Sequence, residues 1–83
     1  MSASITFEFH GRLLRSAGSS ERRVAVNAPL SLADALNVLV QELPQLEPEL
    51  ARCACALGDR LLLRREALAG GERIALLPPV AGG

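Results

Sequence analysis

Leu76-Leu77-Pro78-Pro79-Val80-Ala81-Gly82-Gly83 closes the sequence, and in this stretch composition dictates conformation. Pro78 and Pro79 fix φ and lack an N–H, so they end sheet pairing and favour an extended, polyproline-like exit. The residue before each proline is also pushed away from helix. Gly82 and Gly83 carry no Cβ and can enter a passage too narrow for other residues. A stiff exit with a slim tip has the properties of a segment that is inserted into something. Fully extended, Pro78 to Gly83 reach about 20 Å.

Immediately upstream, Arg73 to Leu77 alternates as a final strand, with Ile74 and Leu76 on one face and Ala75 and Leu77 on the other. Gly70-Gly71 turns the chain into it. Further back, Arg52 to Leu57 and Leu61 to Leu63 are expected as a strand and a short return strand around a Gly58-Asp59 turn. Arg64 to Ala69 has no clear period. Pro44 to Leu50, with two prolines, is expected as a loop. The strongest helical pattern lies before it: Leu32, Ala35, Leu36, Leu39, Val40 and Leu43 form one apolar stripe that Pro44 ends. Ser31 is placed as its N-cap, with Asp34 three residues on. At the start, Ile5, Phe7 and Phe9 alternate with Thr6, Glu8 and His10, and Val24 and Val26 alternate with Arg23, Ala25 and Asn27. These are two strands of a hairpin, with a short helical turn at Arg12 to Ala17 in the connection. The order is ββαβββ: an α+β fold with one main helix on one face of a mixed sheet. Residues 1–77 are expected as the domain and 78–83 as its tail. One helix covers one sheet face only, so Ala75 and Leu77 on the other face are expected to dock a partner.

Eighty-three residues suffice for one small domain with a thin core. Nine basic and nine acidic residues give zero formal net charge, which argues against a binder of nucleic-acid backbone. Every basic residue is Arg, so no lysine amine is present as an internal acyl acceptor. Met1 to Ile5 lacks a charged and an apolar signal region, and apolar runs are far too short for a bilayer span. The expectation is a cytoplasmic protein without membrane attachment. Cys53 and Cys55 share a strand face and read as small buried apolar side chains. With only His10 as a further nitrogen ligand, no metal site is expected. His10 itself is placed on an outward face. The carboxylates are scattered, and no nucleophile–base set or phosphate loop is present. The chain is not expected to be catalytic alone.

The chemistry therefore concentrates in the tail. The free carboxylate of Gly83 is a poor acyl donor, but a mixed anhydride with AMP exposes its carbonyl to a sulfur nucleophile, with no side chain in the way. At this point a family resemblance becomes specific. A strand ending in two apolar residues and then Pro-Pro-Val-x-Gly-Gly resembles the molybdopterin synthase small subunits, among the ubiquitin-like β-grasp sulfur carriers. Phe7 to Gly18 is similar to their first strand and the short Arg-containing segment that closes on Gly. Ser31 to Pro44 is similar to their helix. Leu68, Gly71, Glu72, Ile74 and Leu76 to Gly83 follow their run into the tail. The sequence departs from them at Leu57-Gly58, where Asn-Gly is frequent, and at Leu14-Arg15, where Arg-Glu is frequent.

The resemblance implies a β-grasp fold and a mechanism. A ubiquitin-activating-like adenylyltransferase, consuming ATP, adenylates Gly83, and a sulfurtransferase converts it to a thiocarboxylate. The large synthase subunit takes the tail into a pocket near its own lysine, in a heterotetramer, and sulfur passes to a cyclic pyranopterin on the way to molybdenum cofactor. Gly83 reacts; Gly82, Ala81 and Val80 thread the tunnel with Pro79 and Pro78, which set direction. No cofactor bound to the chain itself is implied. Carriers for thiazole or cysteine synthesis, a ubiquitin-like protein modifier, and a binding domain with a chance Gly-Gly end remain as alternatives.

Overall fold

The computed structural model of the protein describes residues 2–79. The alternation Ile5, Phe7, Phe9 produces strand β1 (Ser2–Phe9), with those three side chains buried. It pairs antiparallel with β2 (Glu21–Asn27), whose Val24 and Val26 face the same core. The connection carries helix α1 (Arg12–Ala17), which buries Leu13 and ends on Gly18 in the left-handed conformation that glycine adopts without strain. A two-residue strand, β3 (Leu30–Ser31), follows the cis Ala28–Pro29 bond.

Helix α2 (Leu32–Glu42) starts as its sequence requires: the Ser31 hydroxyl accepts the Asp34 N–H at 3.1 Å. Such a cap stabilises a helix by about 1 kcal/mol. Its stripe is buried at Leu32, Ala35, Leu36 and Leu39, while Val40 and Leu43 pack half-buried at the margin. Each buried leucine contributes about 1.5–3 kcal/mol relative to exposure.

The segment expected as a loop is instead helical. A 3₁₀ turn (Pro44–Leu46) runs into a single-turn helix α3 (Glu47–Leu50), and both prolines sit at the starts of these elements. A first-turn residue needs no N–H donor, so proline is tolerated there. Leu46 and Leu50 are buried in the core. The next strand, β4 (Ala54–Leu57), is shorter than the expected Arg52 to Leu57, because the Arg52 and Cys53 N–H groups bond back to the Glu49 carbonyl. The return strand β5 spans Arg60–Leu62. The stretch without a period contains β6 (Ala67–Leu68), which pairs antiparallel with β3 as a small second sheet.

Strand β7 (Arg73–Leu77) is the middle of the main sheet, whose order is β2-β1-β7-β4-β5. It runs parallel to β1 and antiparallel to β4. Thus the fold is the expected α+β sheet on one main helix, with the expected helical turn at Arg12 to Ala17 present as α1 and with the 3₁₀ turn, α3, β3 and β6 added to the simple ββαβββ order. No helix among the described residues is long and apolar enough to cross a membrane.

The turn that launches β7 is held by one carboxylate. Glu72 accepts the Ala69 N–H at 2.7 Å and the Gly70 N–H at 2.8 Å. Gly70 has φ +106°, and a Cβ there would lie 2.7 Å from that of Ala3, so glycine is required. Burial pulls the Glu72 pKa up, but the hydrogen bonds from the backbone outweigh it and the pKa lies below the ordinary value. A carboxylate whose folded pKa is depressed contributes stability above its unfolded pKa and loses that contribution as pH falls through the folded one. Glu72→Gln is therefore expected to melt below the parent at neutral pH, with the difference shrinking in acid. Melting curves from pH 7 to pH 2 check this.

Candidate functional site

The tail leaves from the centre of the sheet. Leu76 is fully buried opposite Phe9, Leu77 is 37% exposed, Pro78 is half-buried and Pro79 exposed. Val80, Ala81, Gly82 and Gly83, which carry the expected threading and reacting roles, lie outside the described residues. The structure thus places the root of the expected site, with Pro78 and Pro79 leading away from β7.

Register assembles the surface around this root. In β7, Ile74 and Leu76 point to the core, so Ala75 and Leu77 belong to the opposite face. Leu77 lies opposite Ala54, Ala75 opposite Ala56, and Ala56 opposite Leu61. Leu61 is 66% exposed and Leu63 55%, with the buried Leu62 between them. Ala54, Ala56, Leu61, Leu63, Ala75 and Leu77 therefore make one apolar area on the face opposite α2. Alternation within β7 identifies Ala75 and Leu77 from the sequence. The contribution of β4 and β5 emerges only from the pairing.

A polar band bounds this area on the β1 side. Glu8 and Glu21 are cross-strand partners, and like charges in that position repel. Arg73 lies between them, bonding to both carboxylates. Glu21 and then Glu8 raise its pKa. His10 is 3.7 Å from Glu8. Of the arginines near the C-terminal strands, Arg60 pairs with Glu66 at 2.7 Å. Arg64 donates to the Leu50 and Cys53 carbonyls at 2.8 and 2.9 Å. It acts as a fastener between α3 and the strand that follows.

Both cysteines are free and buried, as expected, and the Cys53 thiol donates to the Leu50 carbonyl at 3.5 Å. The Cys55 thiol beside it and the Arg64 guanidinium lower the Cys53 pKa against the effect of burial, while the Cys53 contact and burial raise that of Cys55. Cys55 faces inward opposite Leu76, on the core side of the sheet and away from the apolar face. Replacing both by Ala is expected to cost about 1–3 kcal/mol through small cavities and to leave intact, in a reconstituted assay, the sulfur delivery that the sequence resemblance implies. Loss of delivery in the folded double variant is the result that contradicts a packing role. Among the described residues no group of three or more His, Cys, Asp or Glu is placed to hold a metal.

Comparison with known proteins follows this geometry. The sequence model of the ThiS family matches residues 8–83. The chain is 37% identical over 79 residues to small archaeal modifier protein 1 of Haloferax volcanii, covering 86% of this chain and 91% of that protein. The crystal structure of SAMP1 from the same organism superposes with a TM-score of 0.87 at 30% identity, covering 98% of this chain and all of that one. A protein–protein complex of subunits 1 and 2 of molybdopterin-converting factor from Helicobacter pylori contains a chain similar at 32% identity. Its TM-score is 0.61, with 96% of this chain and 99% of that one covered.

Proposed function

The chain belongs to the ThiS family of ubiquitin-like β-grasp sulfur carriers and modifiers, and on that premise we propose that it is the sulfur-carrier small subunit of a molybdopterin synthase. The observation that carries this reading is the root of the tail: β7 runs out of the sheet centre into Pro78-Pro79 beside an uncovered apolar face. A partner that covers this face receives the tail in a fixed direction.

In the proposed reaction the Gly83 carboxylate attacks the α-phosphorus of ATP on a ubiquitin-activating-like adenylyltransferase, and pyrophosphate leaves. Sulfide-level sulfur supplied by a sulfurtransferase then attacks the glycine carbonyl carbon, and AMP leaves. The sulfur of the resulting thiocarboxylate bonds to a carbon of a cyclic pyranopterin in the large subunit, and water then hydrolyses the acyl–sulfur bond, which leaves the sulfur on the pterin and returns Gly83 as a free carboxylate. This chain contributes the acyl group, its delivery and the docking face. The catalytic groups and the ATP site belong to its partners. The Helicobacter pylori complex supports a large subunit as partner, and the heterotetramer is part of the same proposal.

A second reading has its own support. The likeness to small archaeal modifier protein 1 favours conjugation through Gly83 to lysines of other proteins. One experiment separates the two. The protein is incubated with the adenylyltransferase of its own organism, ATP and a sulfur donor, and its mass is measured before and after addition of the large subunit and pterin precursor. A thioacid terminus that is consumed with conversion of the precursor supports the carrier. Isopeptide adducts without conversion support the modifier.

A further inference from the structure

Two neighbours of the tail root lie far from it in sequence. Beyond the last parallel pair, Phe9↔Leu76, Gly11 lies against Pro78, and Arg12 lines a groove together with both prolines. Arg52, in the turn that follows α3, lines the same groove from another side. The prolines offer no N–H, so no sheet ladder holds them there. Shape does so instead. Gly11 has φ +59° and ψ −134°, and a Cβ on it would lie 3.1 Å from Pro78 Cγ and 3.8 Å from Cδ. The missing side chain is a notch for the proline ring. The groove, of about 100 Å³, opens beside the prolines, with Pro78 and Pro79 forming part of its wall and Arg12, Pro48, Glu49 and Arg52 the rest. Arg22, Arg60 and Arg73 are spent on ion pairs elsewhere, whereas the Arg12 and Arg52 guanidinium groups make none among the described residues.

We infer that the notch at Gly11 seats Pro78 and that the groove wall at Pro48 and Arg52 bounds the path of Pro79, with Gly11, Pro48 and Arg52 as positioning residues that fix the direction in which the tail leaves the domain. The inference rests on the reading that the tail is adenylated by a partner. A seated root is ordered before the partner arrives, so the ordering cost is not charged to binding. Releasing about one residue's worth of order weakens association roughly tenfold. Positioning of this kind acts on encounter with the enzyme and not on the bond-making step, so it belongs in KM.

The test uses the full chain and the adenylyltransferase, with ATP–pyrophosphate exchange as the readout. Pro48 and Arg52 are exposed, so P48A/R52A is expected to melt within a degree or two of the parent. Its KM for the carrier is expected to rise about tenfold, with kcat nearly unchanged. In a P78A/P79A background, where nothing is left to seat, the same two substitutions are expected to change KM no further. An unchanged KM in the parent background overturns the seat. So does an equal rise in both backgrounds, because Pro48 and Arg52 then touch the partner directly. NMR of the free protein provides a reading independent of the enzyme: cross-peaks between Gly11 Hα and Pro78 Hγ protons are expected, and their absence overturns the seat. If the parent chain itself supports no exchange while those cross-peaks are present, the adenylation reading falls and the geometry of the root stands.

Discussion

Removing Gly83 is expected to abolish thiocarboxylate formation while leaving the melting temperature at the parent value. In the proposed reaction the new bond forms at the carboxyl carbon of that residue, and deletion withdraws the carboxylate by about 3.5 Å. Productive geometry fails on misplacements of about 1 Å, at a cost of about 100-fold, so the shortened tail falls below detection. Adding one residue fails too, because it puts a peptide bond where the anhydride must form. Gly82→Val fails through width and stiffness, since a branched Cβ blocks a passage fitted to glycine. No core residue is touched by any of the three changes. Mass spectrometry of the protein after incubation with adenylyltransferase, ATP and sulfur donor reads the outcome directly. Sulfur uptake by the chain lacking Gly83 would contradict the carrier and leave a Gly-Gly end without chemical meaning.

Leu77→Asp is expected to weaken binding to the large subunit, or to the adenylyltransferase, by about 2–4 kcal/mol, roughly 30- to 1000-fold. Leu77 stands next to the tail root and opposite Ala54, within an apolar area that extends to Leu61 and Leu63. A partner covering that area would desolvate the new carboxylate with no described cation in the strand register to meet it. In the free protein the same side chain meets water, and stability should change by about 1 kcal/mol or less. Calorimetric titration against each partner, with a melting curve as control, measures both quantities. Normal affinity for both partners would move the docking surface elsewhere on the domain.

The elements legible in the sequence are those whose periodic pattern is complete within one segment. Ile5, Phe7 and Phe9 suffice to orient β1, and Leu32 to Leu39 with Ser31 suffice for α2 and its cap. The Pro44–Leu50 segment is opaque because proline reads as a breaker in sequence, although at the first positions of a turn it is compatible with helix. Leu46 and Leu50, four apart and both buried, were the available signal. Strands β3 and β6 are two residues each and have no period to detect. The site divides in the same way. The chemistry of the tail and the outward facing of Ala75 and Leu77 are local properties. The apolar area built with Ala54, Ala56 and Leu61 depends on the register among β4, β5 and β7, and the approach of Gly11 to Pro78 joins residues separated by most of the chain.

The central position of β7 also has a mechanical meaning. In the proposed assembly, a tail drawn into a partner would pull along the axis of this strand, which is flanked by β1 on one side and β4 on the other. The hydrogen bonds of both ladders lie across the direction of pull. They are loaded together in shear and cannot be peeled one after another, as they would be if the last strand lay at a sheet edge and were tugged sideways. The domain can thus be anchored by its tail, tensioned and released without losing the strand that bears the load.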